Sequence, residues 1–279
     1  MTVAFVLPGG AALGAAQVGM LRALDEAGIR PDILVGTSAG AINACYLGLH
    51  PGPTGIAGMA RLWGSVRRRD LVRLRPRQAV RALAGRHPAL FDRSGLERLV
   101  GREFDGVRLE ELAFPVAVVA ADALTGEPVI LSRGPANRAV LASSAMPGVL
   151  APVPWGERWL VDGSVAPDAP LVKAQELGAS VIWVLTTSSR PTRPPRGALD
   201  LAVHAFSLVA GCTTEVQLDR VRQHATVHVL PPPVADGPGV FDLRSSSDLI
   251  AEAHRTAARW LAETGAMVGA GSPNGVGRR

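Results

Sequence analysis

Two short apolar runs, residues 3–7 and 33–35, alternate in the first fifty residues with two longer stretches whose apolar side chains recur at helical spacing. A continuous apolar run of this length that stops at glycine or proline reads as a strand covered on both faces, as in a parallel sheet. The first run ends at Pro8-Gly9-Gly10 and the second passes directly into Gly36. Between them Val18, Leu21 and Leu24 mark a helix over 14–27, with Gly28 as its stop signal. A further helix is expected from near Ala39 to the His50-Pro51-Gly52-Pro53 cluster.

Downstream, residues 114–121 form another continuous apolar run, expected as a strand with 128–132 paired beside it. Residues 181–185 make a further buried strand, preceded by a helical stretch over 171–177 that stops at Gly178. Strands and helices alternating from end to end predict an α/β fold, a three-layer αβα sandwich around a mostly parallel sheet. The last element, 249–261, ends in Trp260-Leu261 and should pack on that sheet. The proline-rich stretches 188–197 and 231–238 read as loops on one domain, because an apolar helical pattern resumes after each. The expectation is a single domain over 1–264, with 51–109 as a variable helical or lid segment. A glycine-rich, disordered tail follows over 265–279.

Composition changes this picture in three places. The chain has 279 residues, enough for a sizeable core, and a net charge of +5 that is unevenly spread. From Arg61 to Arg81 there are eight arginines against the single acid Asp70, which leaves the remainder slightly acidic. A surplus confined to one segment argues against nucleic acid as a partner. With Leu62, Trp63, Val66, Leu71, Val72 and Leu74 interleaved, the segment reads as one or two amphipathic helices. These either touch anionic membrane surfaces or present a solvated face.

The two cysteines, Cys45 and Cys212, lie far apart and suggest a reducing, cytoplasmic compartment, with Cys45 a buried small hydrophobe. The first 21 residues carry no charge, yet Pro8-Gly9-Gly10 interrupts them and no basic residue precedes the apolar run, so a strand and a turn are expected, not a signal or a membrane span. Lys173 is the only lysine among 29 basic residues, which together with abundant Ala, Gly and Pro suggests a GC-rich bacterial genome.

Three constellations can carry chemistry. Gly36-Thr37-Ser38-Ala39-Gly40 is a G-x-S-x-G set between a strand and a helix, the setting of a nucleophile elbow, although the same residues could form a plain glycine turn with Ser38 as helix cap. Its glycines permit a tight turn, and the helix N-terminus favours developing negative charge. The turn Pro8-Gly9-Gly10-Ala11-Ala12-Leu13-Gly14 exposes successive N–H groups suited to a phosphate or an oxyanion. It lacks the G-x-G-x-x-G spacing and the acidic residue that a dinucleotide site requires, which favours the oxyanion. In a parallel sheet both turns would open at one edge. The third is Trp159-Leu160-Val161-Asp162-Gly163-Ser164, an apolar approach to a carboxylate and a glycine that by itself reads as an ordinary Asp-Gly turn.

In this order the three resemble the patatin-like phospholipases and lipid acyl hydrolases. The stretches Ala142-Ser143-Ser144-Ala145-Met146-Pro147-Gly148 and G-T-S-A-G-A-I-N-A over 36–44 look like further segments of that family. The resemblance runs from about Val3 to Leu261 and is weakest over 51–109. It implies a Ser-Asp dyad, here Ser38 as nucleophile and Asp162 as general base and acid, with Gly9, Gly10 and Ala11 as the oxyanion hole. Gly14, Gly36, Gly40 and Gly163 are then motif glycines, the substrate is a lipid or acyl ester, and neither a metal nor a cofactor is needed. Two departures stand out: Ala11 replaces a usual glycine and Leu13 a usual basic residue, while Ser164 replaces a smaller one. Two other readings stay open, a histidine-assisted α/β-hydrolase using His204, His224, His228 or His254, and a degenerate lipid-binding module. His50 and His87 precede Asp162 beside prolines, in expected loops, and all six histidines are read as structural or surface residues.

Overall fold

The computed structural model describes residues 1–166, 169–187, 217–233, 243 and 245–266, together with 197, 201 and 208. In chain order, β1 (Val3–Leu7), α1 (Gly14–Glu26), β2 (Ile33–Thr37), α2 (Ala39–Leu49) and α3 (Pro53–Ser65) come first. A run of short elements follows: α4 (Arg68–Leu71), β3 (Arg73–Leu74), α5 (Pro76–Leu83) and β4 (Phe91–Asp92). Then come α6 (Ser94–Phe104), β5 (Val116–Asp122), β6 (Pro128–Leu131), α7 (Ala136–Ser143), β7 (Val153–Trp155) and β8 (Arg158–Asp162). The remaining described elements are α8 (Ala169–Glu176), β9 (Val181–Leu185), β10 (Thr226–Leu230) and α9 (Ser246–Thr264).

The main sheet has the order β10-β9-β1-β2-β5-β8-β7, and its five strands from β10 to β5 are mutually parallel. Every residue of β1, β2, β5 and β9 is buried, because helices cover both faces. Along β1 the side chains alternate between two cores: Val3, Phe5 and Leu7 join the large cluster, Ala4 and Val6 the smaller one. The large cluster is built with α1, α2, α3, α6, α7 and α9, and the smaller one includes Leu171 and Ala174 of α8. A methyl group on Gly19 would stand 2.1 Å from the Ile250 carbonyl oxygen, so that glycine lets α1 and α9 meet backbone to backbone.

The predicted strand, helix, strand, helix opening is present almost residue for residue. Two expectations are corrected. Strands and helices do not alternate throughout: β6 and β8 run antiparallel to β5, and β7 antiparallel to β8. The Asp122 carboxylate turns the chain after β5 by accepting the N–H of Leu124 at 2.9 Å, a side-chain turn that apolar periodicity does not register. The arginine-rich segment also breaks up more than one or two helices would, into α4, β3 and α5 after a helix that starts at Pro53.

Register explains how the antiparallel strands serve the centre. Val118 and Val119 pair with β2 on one side and β6 on the other, whereas Ala120 and Ala121 pair with β8 and β6. Strands β2 and β8 therefore share one edge of β5, end to end. Thr37 lies opposite Val119 and Asp162 opposite Ala120, so the last residues of the two strands point at each other.

The expected tail beyond 266 lies outside the described residues, as do most of the two proline-rich loops and Cys212. Cys45 is fully buried, and burial pushes its thiol far above the ordinary range, as expected of a small hydrophobe.

Candidate active site

The elbow is built by close packing. A Cβ on Gly36 would lie 2.5 Å from the Gly40 carbonyl oxygen, and one on Gly40 only 1.9 Å from that of Leu7. Any side chain at these positions would push α2 off the end of β1. Ser38 sits between them at φ 55° and ψ −120°, a backbone region that costs free energy for any residue but glycine. Its carbonyl accepts the N–H of Ala41 at 2.9 Å, which starts α2 at once. Its own N–H donates to Ser143 Oγ at 2.8 Å, and that buried hydroxyl in turn donates to the Val119 carbonyl at 2.5 Å. Ser143 thus ties the turn to strand β5.

The first turn follows β1 at the same sheet edge, since Leu7 lies opposite Gly36. Gly9 faces the nucleophile candidate directly: a Cβ there would come within 3.2 Å of Ser38 Cβ and 2.7 Å of Ser164 Oγ. One on Gly10 would meet Thr187 Oγ1 at 2.5 Å, and one on Gly14 would meet Ala39 Cβ at 2.6 Å. Among the described residues no protein acceptor meets the N–H groups of Gly9 and Gly10. Ala11 adopts φ 47°, so the alanine occupies the left-handed conformation that suits glycine. Leu13 packs against the large core, where the family resemblance would place a basic side chain.

Buried amides hold this turn. Gln17 Nε2 donates to the Pro8 carbonyl at 2.8 Å and to that of Leu185 at 3.2 Å. Asn43 Nδ2 donates to the Gly14 carbonyl at 2.9 Å and to Gln17 Oε1 at 2.8 Å, while its Oδ1 accepts Trp63 Nε1 at 2.8 Å. The Thr187 hydroxyl donates to the Gly9 carbonyl.

Asp162 closes the arrangement. It is 1% exposed, its Oδ1 accepts the Ser164 N–H at 2.9 Å, and the Ser38 and Ser164 hydroxyls stand near enough to its carboxylate to favour the charged form. Its own N–H donates to the Ala145 carbonyl at 2.9 Å. The segment 143–145 therefore clasps both partners, one through Ser143 and the other through Ala145. Burial raises the Asp162 carboxyl above the ordinary carboxylate range, and the Ser164 N–H and the two serine hydroxyls oppose that rise. At Gly163 a Cβ would stand 2.2 Å from the Val119 carbonyl oxygen, so glycine lets the chain cross β5 beside Thr37.

Ser38, Asp162 and Ala11 line one cleft of about 470 Å³. Its other walls are Ala39, Ile42, Trp63, Leu71, Val72, Leu96, Met146, Val149 and Leu150, with Ser144 the one further polar residue. The cleft is thus an apolar groove with a serine and a carboxylate in its lining, able to seat an acyl chain beside a nucleophile. None of the described histidines lines it. His228 stacks on Trp183, His254 pairs with Glu26 at 2.6 Å, His87 bonds Ala89, and His50 and His224 are exposed. His204 lies outside the described residues.

Sequence reasoning left Ser143, Gln17, Asn43 and Thr187 without a role. Gln17 had a signal, as the one polar side chain among the apolar residues opening α1. Asn43 and Ser143 lay inside quoted segments, but their partners come from elements far away in the chain. Among the described residues no helix is long and apolar enough to cross a membrane.

The chain is 32% identical over 261 residues to an uncharacterised NTE family protein of Mycobacterium tuberculosis, covering 92% of this chain and 41% of that protein. It is 29% identical over 190 residues to the rat patatin-like phospholipase domain-containing protein 7, covering 67% of this chain and 14% of that one. The chain therefore spans less than half the length of these relatives. The crystal structure of VipD from Legionella pneumophila superposes with a TM-score of 0.46 at 13% identity, over 94% of this chain and 66% of the other. The model of the patatin-like phospholipase family matches residues 5–174, more than half of the chain, and this protein belongs to that family.

Proposed function

We propose that this protein is a serine esterase of acyl-ester lipids, of the phospholipase A type, that works through Ser38 and Asp162. The observation that carries the reading is the placement of Ser38 and the buried Asp162 carboxylate side by side in the lining of one apolar cleft, where the serine hydroxyl favours the charged form of the carboxylate. In the proposed reaction Asp162 takes the Ser38 proton as Oγ attacks the ester carbonyl carbon. The carbonyl oxygen becomes an oxyanion held by the N–H groups of Gly9, Gly10 and Ala11. Collapse of this intermediate expels the alcohol, which leaves with the proton from Asp162. Water, deprotonated by Asp162, then attacks the acyl-enzyme, and the proton returns to Ser38 as the fatty acid departs.

Burial of Asp162 supports this role, because a raised carboxyl is a stronger base than a free one. The name of the family supports a phospholipid ester, and the arginine-rich segment supports substrate drawn from an anionic membrane surface. Neither a metal nor a cofactor enters the scheme.

Labelling with a fluorophosphonate probe, together with hydrolysis of esters of graded chain length, tests the reading. The wild type should be labelled at Ser38 and should hydrolyse the longer acyl esters. A wild type that is neither labelled nor active would leave a lipid-binding module without catalysis. Full activity in Asp162→Asn would place the base elsewhere.

A further inference from the structure

Among the described helices of two turns or more, α5 is the one that buries no residue, and the four-residue α4 before it buries none either. A surface helix normally turns its apolar stripe inward. Here Val80 is 66% exposed and Leu83 81%, and Leu74 just before the helix is 61% exposed. These three share the segment with Arg73, Arg75, Arg77, Arg81 and Arg86, and no acid occurs from 71 to 91. Arg75 pairs with Asp92 at 2.9 Å, and the charge of Arg73 also acts on that carboxylate. Among the described residues, Arg77, Arg81 and Arg86 form no ion pair.

The helix is nonetheless held in place. Gln78 Nε2 donates to the Phe91 carbonyl at 2.7 Å and to that of Ala89 at 3.2 Å. Arg77 with Arg81, and Val80 with Leu83, are one helical turn apart, so charge and apolar bulk stand together on the outer side.

Both ends of this segment run into the cleft. Leu71 and Val72, immediately before Arg73, are cleft walls. At the other end the Leu90 N–H donates to the Gly148 carbonyl at 2.9 Å and that of Phe91 to Val149 at 3.0 Å, and Val149 is also a wall.

We infer that residues 73–86 are a docking platform for an anionic lipid bilayer, and that docking there feeds lipid into the cleft at Ser38. The second half rests on the esterase reading. Unpaired guanidinium groups meet anionic headgroups, while Leu74, Val80 and Leu83 enter the boundary between headgroups and acyl chains. A nucleic acid or an acidic protein would use the arginines but give the three exposed apolar residues nothing to enter. The arginines that dock are those from Arg73 onward. Arg67 is instead tied to the Gly64 carbonyl at 3.0 Å and, through its backbone N–H, to Asp70.

The test is flotation of the full chain with phosphatidylcholine vesicles made with or without phosphatidylglycerol. Two variants are compared, one with Arg77, Arg81 and Arg86 changed to Ser, the other with Leu74, Val80 and Leu83 changed to Ser. All six positions are exposed, and hydrolysis of a short water-soluble ester should stay unchanged in both. The wild type should float only with the anionic vesicles, and each variant should bind them at least about tenfold more weakly. Hydrolysis of vesicle lipid should fall with binding. Equal binding by wild type and variants overturns the inference. So does binding that ignores the apolar changes and is matched by duplex DNA, or self-association that hides the arginines in solution. Ser38→Ala should float like the wild type. A wild type that docks but hydrolyses no ester would remove the esterase reading and the feeding step while leaving the docking platform standing.

Discussion

The two turns that meet at the cleft follow neighbouring parallel strands, and each holds a residue other than glycine in left-handed backbone: Ser38 at φ 55° and Ala11 at φ 47°. They differ in how that conformation is held. The elbow lies in a wholly buried stretch from 33 to 48, and a hydroxyl from α7 links its N–H to a central strand. The first turn is only half buried from Pro8 to Ala11, and amide and hydroxyl groups of Gln17 and Thr187 hold it by its carbonyls. Bracing the elbow by its N–H fixes where Oγ points. Bracing the other turn by its carbonyls leaves the N–H groups of Gly9 and Gly10 without a protein acceptor among the described residues. In the proposed reaction one turn aims a side chain and the other presents backbone donors.

The largest effects should come from the groups at which the turns aim. Ser38→Ala and Asp162→Asn should each lower kcat/KM for a long-chain ester by about a thousandfold or more, a loss typical of removing a nucleophile or its proton acceptor. Stability should move the other way for Asp162→Asn. A carboxyl whose folded-state pKa lies above the unfolded value loses stability as pH rises between the two. At neutral pH, above the range in which the unfolded carboxyl titrates, the buried Asp162 therefore costs stability that asparagine does not, and urea unfolding should show the variant at least as stable as the wild type.

Next in size is the brace itself. Ser143→Ala leaves the Ser38 N–H and the Val119 carbonyl without their shared partner, which should cost about 1–3 kcal/mol of stability. It should also lower kcat with KM little changed, while Ser143→Cys, of nearly the same shape, recovers part of kcat. Unchanged kcat with lost stability would make Ser143 a structural residue only. Gln17→Met tests the other turn: it should cost a similar roughly 1–3 kcal/mol, through the orphaned Pro8 and Leu185 carbonyls, but less of kcat than Ser143→Ala.

The pH profile gives a finer distinction. Activity needs the Asp162 carboxylate, so the acid limb of kcat/KM should lie above the pH at which an exposed aspartate titrates. Ser164→Ala removes a hydroxyl that favours the carboxylate, which should move that limb to still higher pH. The smallest effect belongs to Ala11→Gly. Relief of left-handed strain, about 1 kcal/mol, is largely offset by the greater freedom of glycine in the unfolded chain. Thermal unfolding should shift little, and a clear loss of activity would mean that the Ala11 methyl contributes to the cleft wall.

The central strands, the elbow and the glycine turn were legible in the amino-acid sequence because each is specified locally. Apolar runs stop at glycines, and the glycines sit where packing leaves no room for a Cβ. That logic reached Ser38, Gly9 and Gly36 without any knowledge of the sheet. It reached Asp162 only through resemblance, because an Asp-Gly pair is ordinary in a turn. Tertiary structure supplied the reason for that residue: β8 runs antiparallel and meets β2 end to end along β5, a register that spans well over a hundred residues of chain. The same limit hid Ser143, Gln17 and Thr187, whose hydrogen bonds reach partners up to 178 positions away. The arginine-rich segment shows the boundary once more. Its charge was evident from composition, but the inward or outward facing of its apolar residues depends on what packs against α5, and that is decided only when the chain has folded.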